Sequence, residues 1–157
     1  MMNDTHGAPD LTIYAAGSCH HNPGGCGGWG CIITNHRDQC TAKLSGCLPA
    51  AESMTNIRVE LVSVLEALKA IPGGSTVVFW IKSNHVPKAF TLGRKRTRNL
   101  DLWPAIFTEA ARHRIEWKSD PAIATDSPME DAKRMARKET SNAVKMRRIM
   151  DDVNRRK

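Results

Sequence analysis

Residues 54–71, MTNIRVELVSVLEALKAI, constrain the fold more than any other stretch. Ile57, Leu61, Val64, Leu65, Leu68 and Ile71 recur at helical spacing and form one apolar stripe. Thr55 stands where an N-cap belongs, and Pro72-Gly73-Gly74 stops the helix. Glu60 breaks the pattern. It lies at the edge of the stripe, whereas Glu66 lies opposite it. A carboxylate at that edge loses water unless a positive or polar group meets it. The bland alternative is a border glutamate whose stem packs while its head reaches solvent.

The flanking segments read as strands and turns. Residues 11–16 alternate with an apolar bias, as a buried central strand does. Residues 22–28 form a glycine-rich turn whose backbone can approach a ligand closely. Residues 28–34 and 39–45 make a hairpin through 35–38. VVFWI at 77–81 is a continuous apolar run, as in a strand covered on both faces, and Lys82 follows at its C-terminal end. Strand ends of parallel sheets are where sites are built. Residues 100–113 read as a helix, 115–118 as the last strand, and Pro128 opens a terminal helix with Glu130 and Asp131 in its first turn.

At 157 residues and 41% apolar composition, the chain is large enough for one domain with a real core. There is neither a run of eighteen apolar residues nor a signal-peptide core, so a soluble cytoplasmic protein without membrane association is expected. Five cysteines between Cys19 and Cys47 are expected to be reduced thiols. Cys19, His20, His21 and Cys26 share a loop, but not at paired zinc spacing. The net charge of +7 is uneven. Residues 1–90 balance six basic against six acidic side chains, so the whole excess lies in 91–157. Such asymmetry points to an anionic partner, most often nucleic acid. Residues 1–10 read as a disordered N-terminus and 11–138 as the domain. Residues 139–157 read as a basic amphipathic helical tail that could meet a protein partner.

The motifs, in order, resemble type 1 ribonucleases H. TNIRVELVSVLEAL is similar to the helix that carries that family's catalytic glutamate. LTIYAAGS resembles its first strand, NPGGCGGWGCII its glycine turn and second strand, and NLDLW and RIEW match further on. The resemblance implies an α/β ribonuclease H-like fold, with a mixed five-stranded sheet of three antiparallel and then two parallel strands, flanked by helices. It also implies four acids that hold two magnesium ions. The positions that correspond are Ala16, Glu60, Lys82 and Lys133, and the family's loop histidine falls on Ile123. Only the glutamate is kept.

From this an inactive member is expected: a pseudonuclease with no catalytic residue, no metal and no cofactor. It would bind RNA, RNA/DNA hybrid or structured duplex. The alternatives are a protein–protein adaptor that uses the fold and tail, and a residual nuclease. The candidate nucleic-acid contacts are Asn22, Asn56, Arg58, Lys82, Ser83, Asn84, Arg94, Lys95, Arg96, Arg98 and Lys133. One of the two lysines is expected to pair with Glu60 and offset its desolvation.

Overall fold

A computed structural model of the chain describes residues 9–22, 24–93, 98–119 and 127–157. Its elements run β1 (Leu11–Cys19), β2 (Gly27–Asn35), β3 (Cys40–Leu48), α1 (Asn56–Ala70), β4 (Thr76–Ile81), α2 (His85–Leu92), α3 (Trp103–Ala110), β5 (Arg114–Lys118) and α4 (Ser127–Arg155). One five-stranded sheet has the order β3-β2-β1-β4-β5. β1 lies at its centre, antiparallel to β2 and parallel to β4. β2 and β3 are antiparallel, and β4 and β5 are parallel. This is the mixed α/β architecture anticipated from the motifs.

α1 forms where the stripe places it. The Thr55 side chain accepts a hydrogen bond from the Arg58 backbone N–H at 3.0 Å, which caps one of the free amides of the first turn. Leu61, Val64, Ala67 and Leu68 face the sheet, against Ile13, Ala15, Val77, Phe79 and Ile81, and Val59 is buried over Gly27. α2 and α3 add Val86, Ala89, Trp103, Ile106 and Ala110 to this core. Trp117 packs its ring 4.9 Å from Phe79 and 4.8 Å from Phe90.

β4 departs from the continuous burial its sequence promised. Val77, Phe79 and Ile81 are buried, whereas Val78 and Trp80 are only half-buried. The reason is that α4 covers β1, β2 and β3 on the opposite face and leaves the β4 side of that face partly open. α3 is shorter than 100–113. The backbone N–H groups of Leu102 and Trp103 are tied to the Asn99 carbonyl in a turn, and Pro104 opens the helix. Residues 111–112 turn away to bring Arg114 beside Ser75.

α4 crosses its face at backbone-to-backbone distance. A Cβ on Gly28 would stand 2.3 Å from the Ala136 carbonyl, and one on Gly30 2.7 Å from the Ala132 carbonyl. Met129, Ala132 and Ala136 are buried there with Tyr14, Ala16 and Ile32. Beyond Thr140 the same helix continues with Met146, Ile149, Met150 and Val153 exposed. Among the described residues, no helix is long and apolar enough to cross a membrane. Residues 1–8, the greater part of the expected N-terminal tail, lie outside the described residues.

Candidate nucleic-acid-processing site

Backbone register brings Ala16, Glu60 and Lys82 to one end of the sheet, and α4 crosses Gly30 beside Ala16. Ala15 pairs with Ile81 across β1 and β4, so Ala16 lies next to Lys82, one residue past the end of β4. Ala16 also stands opposite Gly30, and Gly30 lies under the Ala132 carbonyl of α4, the residue before Lys133. Gly17 completes the junction. A Cβ there would fall 2.6 Å from the Glu60 backbone nitrogen, so only glycine lets α1 approach β1 this closely.

Glu60 is buried, and its carboxylate accepts a short hydrogen bond from the Ser83 hydroxyl. Burial raises its pKa above the ordinary value, because the charged form loses water; the Ser83 bonds and the nearby Lys82 charge oppose that rise. The expected lysine pairing is therefore corrected in kind. Among the described residues, the Ser83 hydroxyl is what donates to Glu60, and Lys82 acts through its charge. Lys82 itself is exposed and Lys133 half-buried. The Lys82 carbonyl accepts from the Ser119 hydroxyl at 3.0 Å, which fixes the turn after β4.

The other candidate contacts separate into groups. Asn22 accepts from the Asn56 backbone N–H at 3.3 Å, tying the glycine turn to the start of α1. Gly24 in that turn has φ +108°, and its N–H bonds the Met54 carbonyl. Asn84 is exposed at the head of α2. Arg58 is engaged elsewhere. Its guanidinium donates to both carboxylate oxygens of Asp101, at 2.9 and 2.6 Å, and to Asn99 at 3.2 Å. That pairing raises the Arg58 pKa and holds the Asp101 carboxyl below its usual range. Sequence reasoning matched Asn99 and Asp101 only as part of a motif. A bidentate partner for Arg58 was legible in neither spacing nor charge. Arg98 is exposed, whereas Arg94, Lys95, Arg96 and Ile123 lie outside the described residues.

The donor set decides whether a pair of divalent ions fits. Ala16 offers no ligand, and Lys82 and Lys133 offer ammonium groups. Among the described residues, no group of three or more His, Cys, Asp or Glu is placed to hold a metal ion. The residues described do not fit a two-magnesium centre. Nor do Cys19, His20, His21 and Cys26 form a ligand group, although the two imidazole rings lie 4.0 Å apart. The five cysteines are free, and burial pushes the Cys31 thiol up to about 12.

A central parallel β1–β4 pair, a flanking antiparallel hairpin and a buried glutamate on the first helix define a ribonuclease H-like α/β protein. The chain belongs to the RNase H family, whose profile matches residues 8–143. It is similar to the Ribonuclease H of Chromohalobacter salexigens, with 31% identity over 133 residues, 74% of this chain and 77% of that protein. Among solved structures it resembles LC9-RNase H1, described as a type 1 RNase H with the type 2 active-site motif. That likeness has a TM-score of 0.71 and 25% identity, and covers 87% of this chain and 74% of the other. LC11-RNase H1, solved in complex with an RNA/DNA hybrid, shares the fold with a TM-score of 0.62 and 17% identity, over 85% and 99% of the two chains.

These relationships overturn the expectation of a non-catalytic nucleic-acid-binding protein and favour, among the alternatives, the nuclease. Across most of the chain the relatives are enzymes named Ribonuclease H. The expectation of a pseudonuclease counted ligands at four positions, and three unfavourable side chains there outweighed everything else. The family relationship rests on the whole of 8–143.

Proposed function

We propose that this chain is a ribonuclease H whose substrate is an RNA/DNA hybrid and whose reaction is hydrolysis of the RNA strand. Glu60 is the acid on which the reaction depends. The observation that carries this reading is the family match over 8–143, together with a buried Glu60 of α1 beside β1 and the end of β4. The hybrid seen with LC11-RNase H1 supports the choice of substrate.

The chain's own residues have definable tasks. Ser83 orients the Glu60 carboxyl by its hydrogen bond. Burial raises the Glu60 pKa, and the Ser83 bonds and the Lys82 charge oppose that rise. Asn22 and Asn56 present a tied turn and helix start, and Lys82, Ser83 and Asn84 follow the end of β4, for backbone or groove contacts. Arg58 serves by holding the 99–101 turn against α1, so its contribution to substrate is positional. In sequence, Arg94, Lys95, Arg96 and Arg98 precede that turn and carry basic charge suited to phosphates.

The test is cleavage of a hybrid labelled on its RNA strand, with magnesium or manganese present, by wild type and Glu60→Gln. RNA-strand products from the hybrid, absent with single-stranded RNA or duplex DNA and lost in Glu60→Gln, are the expected result. An intact hybrid under both cations would overturn the reading.

A further inference from the structure

α4 has two unlike halves. In the inner half Met129, Ala132 and Ala136 are buried against Tyr14, Ala16 and Ile32. In the outer half Met146, Ile149, Met150 and Val153 form a stripe at helical spacing, each 46–58% exposed and left uncovered by the described residues. The flanks of that stripe carry charge of both signs. Lys145 and Asp152 lie two turns apart on one flank, with Ile149 near their midpoint. Asp152 also meets Arg155 of its own helix at 3.4 Å, in an exposed pair that leaves the carboxylate open to a second donor. A basic arm built for phosphate alone needs no apolar stripe, and Asp151 and Asp152 at its centre would oppose a polyanion. At the inner end of the stripe an apolar groove runs between the end of β3 and α4, lined by Cys47, Leu48, Pro49, Ala143 and Met146.

We propose that the outer half of α4 is a dimer interface for a second copy of the chain, packed antiparallel to the first. A twofold axis near Ile149 sets Lys145 beside the copy's Asp152, and the contact occurs twice because the axis repeats it in reverse. The same axis lays Ile149 on the copy's Ile149 and places Met146 between the copy's Met150 and Val153. The copy's Val153 then comes level with Val144, beside the groove at Leu48 and Pro49. A parallel copy would stack Lys145 on Lys145 and Asp152 on Asp152. The stripe supplies the burial, and the exposed charge pairs fix the orientation. The pairing uses no residue of the Glu60 site, so it stands or falls apart from the proposed cleavage.

The experiment is sedimentation equilibrium of the full chain, freed of nucleic acid, over a micromolar concentration series. Wild type, Ile149→Ser/Met150→Ser, Lys145→Asp, Asp152→Lys, the double variant Lys145→Asp/Asp152→Lys and an equimolar mixture of the two single charge variants are compared. Wild type is expected to rise with concentration from the monomer mass toward twice that mass. The serine pair should stay monomeric, with unchanged far-ultraviolet circular dichroism showing that the domain is folded. Each single charge reversal should weaken self-association by about tenfold or more, since like charges then face each other at both contacts. The double variant and the mixture should recover it, a recovery that lost folding does not produce. A wild type that stays monomeric throughout overturns the proposal, as does a serine pair that still dimerises. Single reversals that associate like wild type, or that are not rescued, overturn it as well. So does association that appears only when RNA/DNA hybrid or anionic lipid vesicles are added, which would assign the stripe to those ligands.

Discussion

Under α1 the sheet presents Ile13, Ala15, Val77, Phe79 and Ile81, all buried, and the helix meets them with Leu61, Val64, Ala67 and Leu68. Under α4 it presents Gly28, Gly30, Ala16 and Tyr14, and the helix meets them with Ala132, Ala136 and Met129. The first face is filled by large side chains. The second is closed by the approach of backbone to backbone. The site lies where the two faces meet, because Gly17 lets α1 close on one side and Gly30 lets α4 close on the other. Stability on the first face should therefore depend on volume kept, and on the second on volume withheld.

The largest effect is expected from emptying the α1 face. Phe79 has no exposed surface and touches Trp117, so Phe79→Ala should cost about 3–5 kcal/mol. Urea denaturation would read this as a lower midpoint with an unchanged slope. A change below about 1 kcal/mol would mean that this face is not held by volume.

Filling the α4 face should come next. Gly28→Val places a branched side chain where a Cβ alone would be 2.3 Å from the Ala136 carbonyl and 2.4 Å from the Thr140 nitrogen. Both neighbours are backbone and cannot turn aside, so a loss of about 1–3 kcal/mol or more is expected. A neutral result in the same denaturation assay would show that α4 shifts freely and that the contrast between the faces is false.

The smallest effect sharpens the comparison at the rim. Burial raises the Glu60 pKa in the folded chain. The folded state then binds that proton more tightly than the unfolded state does, so stability falls as pH rises from about the ordinary value of 4.5 through the raised one. Glu60→Gln removes this loss. Its melting temperature should exceed that of wild type at about pH 7, and the gap should close near pH 4, where Glu60 is protonated in both states. A residue that lowers stability in its working form while the proposed cleavage depends on it is a known kind of compromise. Equal melting curves at both pH values would show that Glu60 is well solvated and that the rim is open.

The sequence by itself determined the elements and their order. The 3.6-residue stripe of α1, its Thr55 cap and its Pro-Gly-Gly stop are local properties, and local periodicity survives any tertiary arrangement. The ordered motifs were specific enough to anticipate three antiparallel and two parallel strands, and to place Ala16, Glu60, Lys82 and Lys133 in correspondence. Reading function from those four side chains alone led to an inactive protein, and the relatives across the whole domain corrected it.

Only the tertiary structure decided what each polar group meets. Ser83 reaches Glu60 across 23 residues of chain, and Arg58 reaches Asp101 across 43. The half-covered β4 and the glycine bed of α4 depend likewise on which strands a helix lies over. No spacing rule encodes these pairings. They follow from the packing distances between elements remote in sequence, and a side chain's neighbours there exist only once the chain has folded.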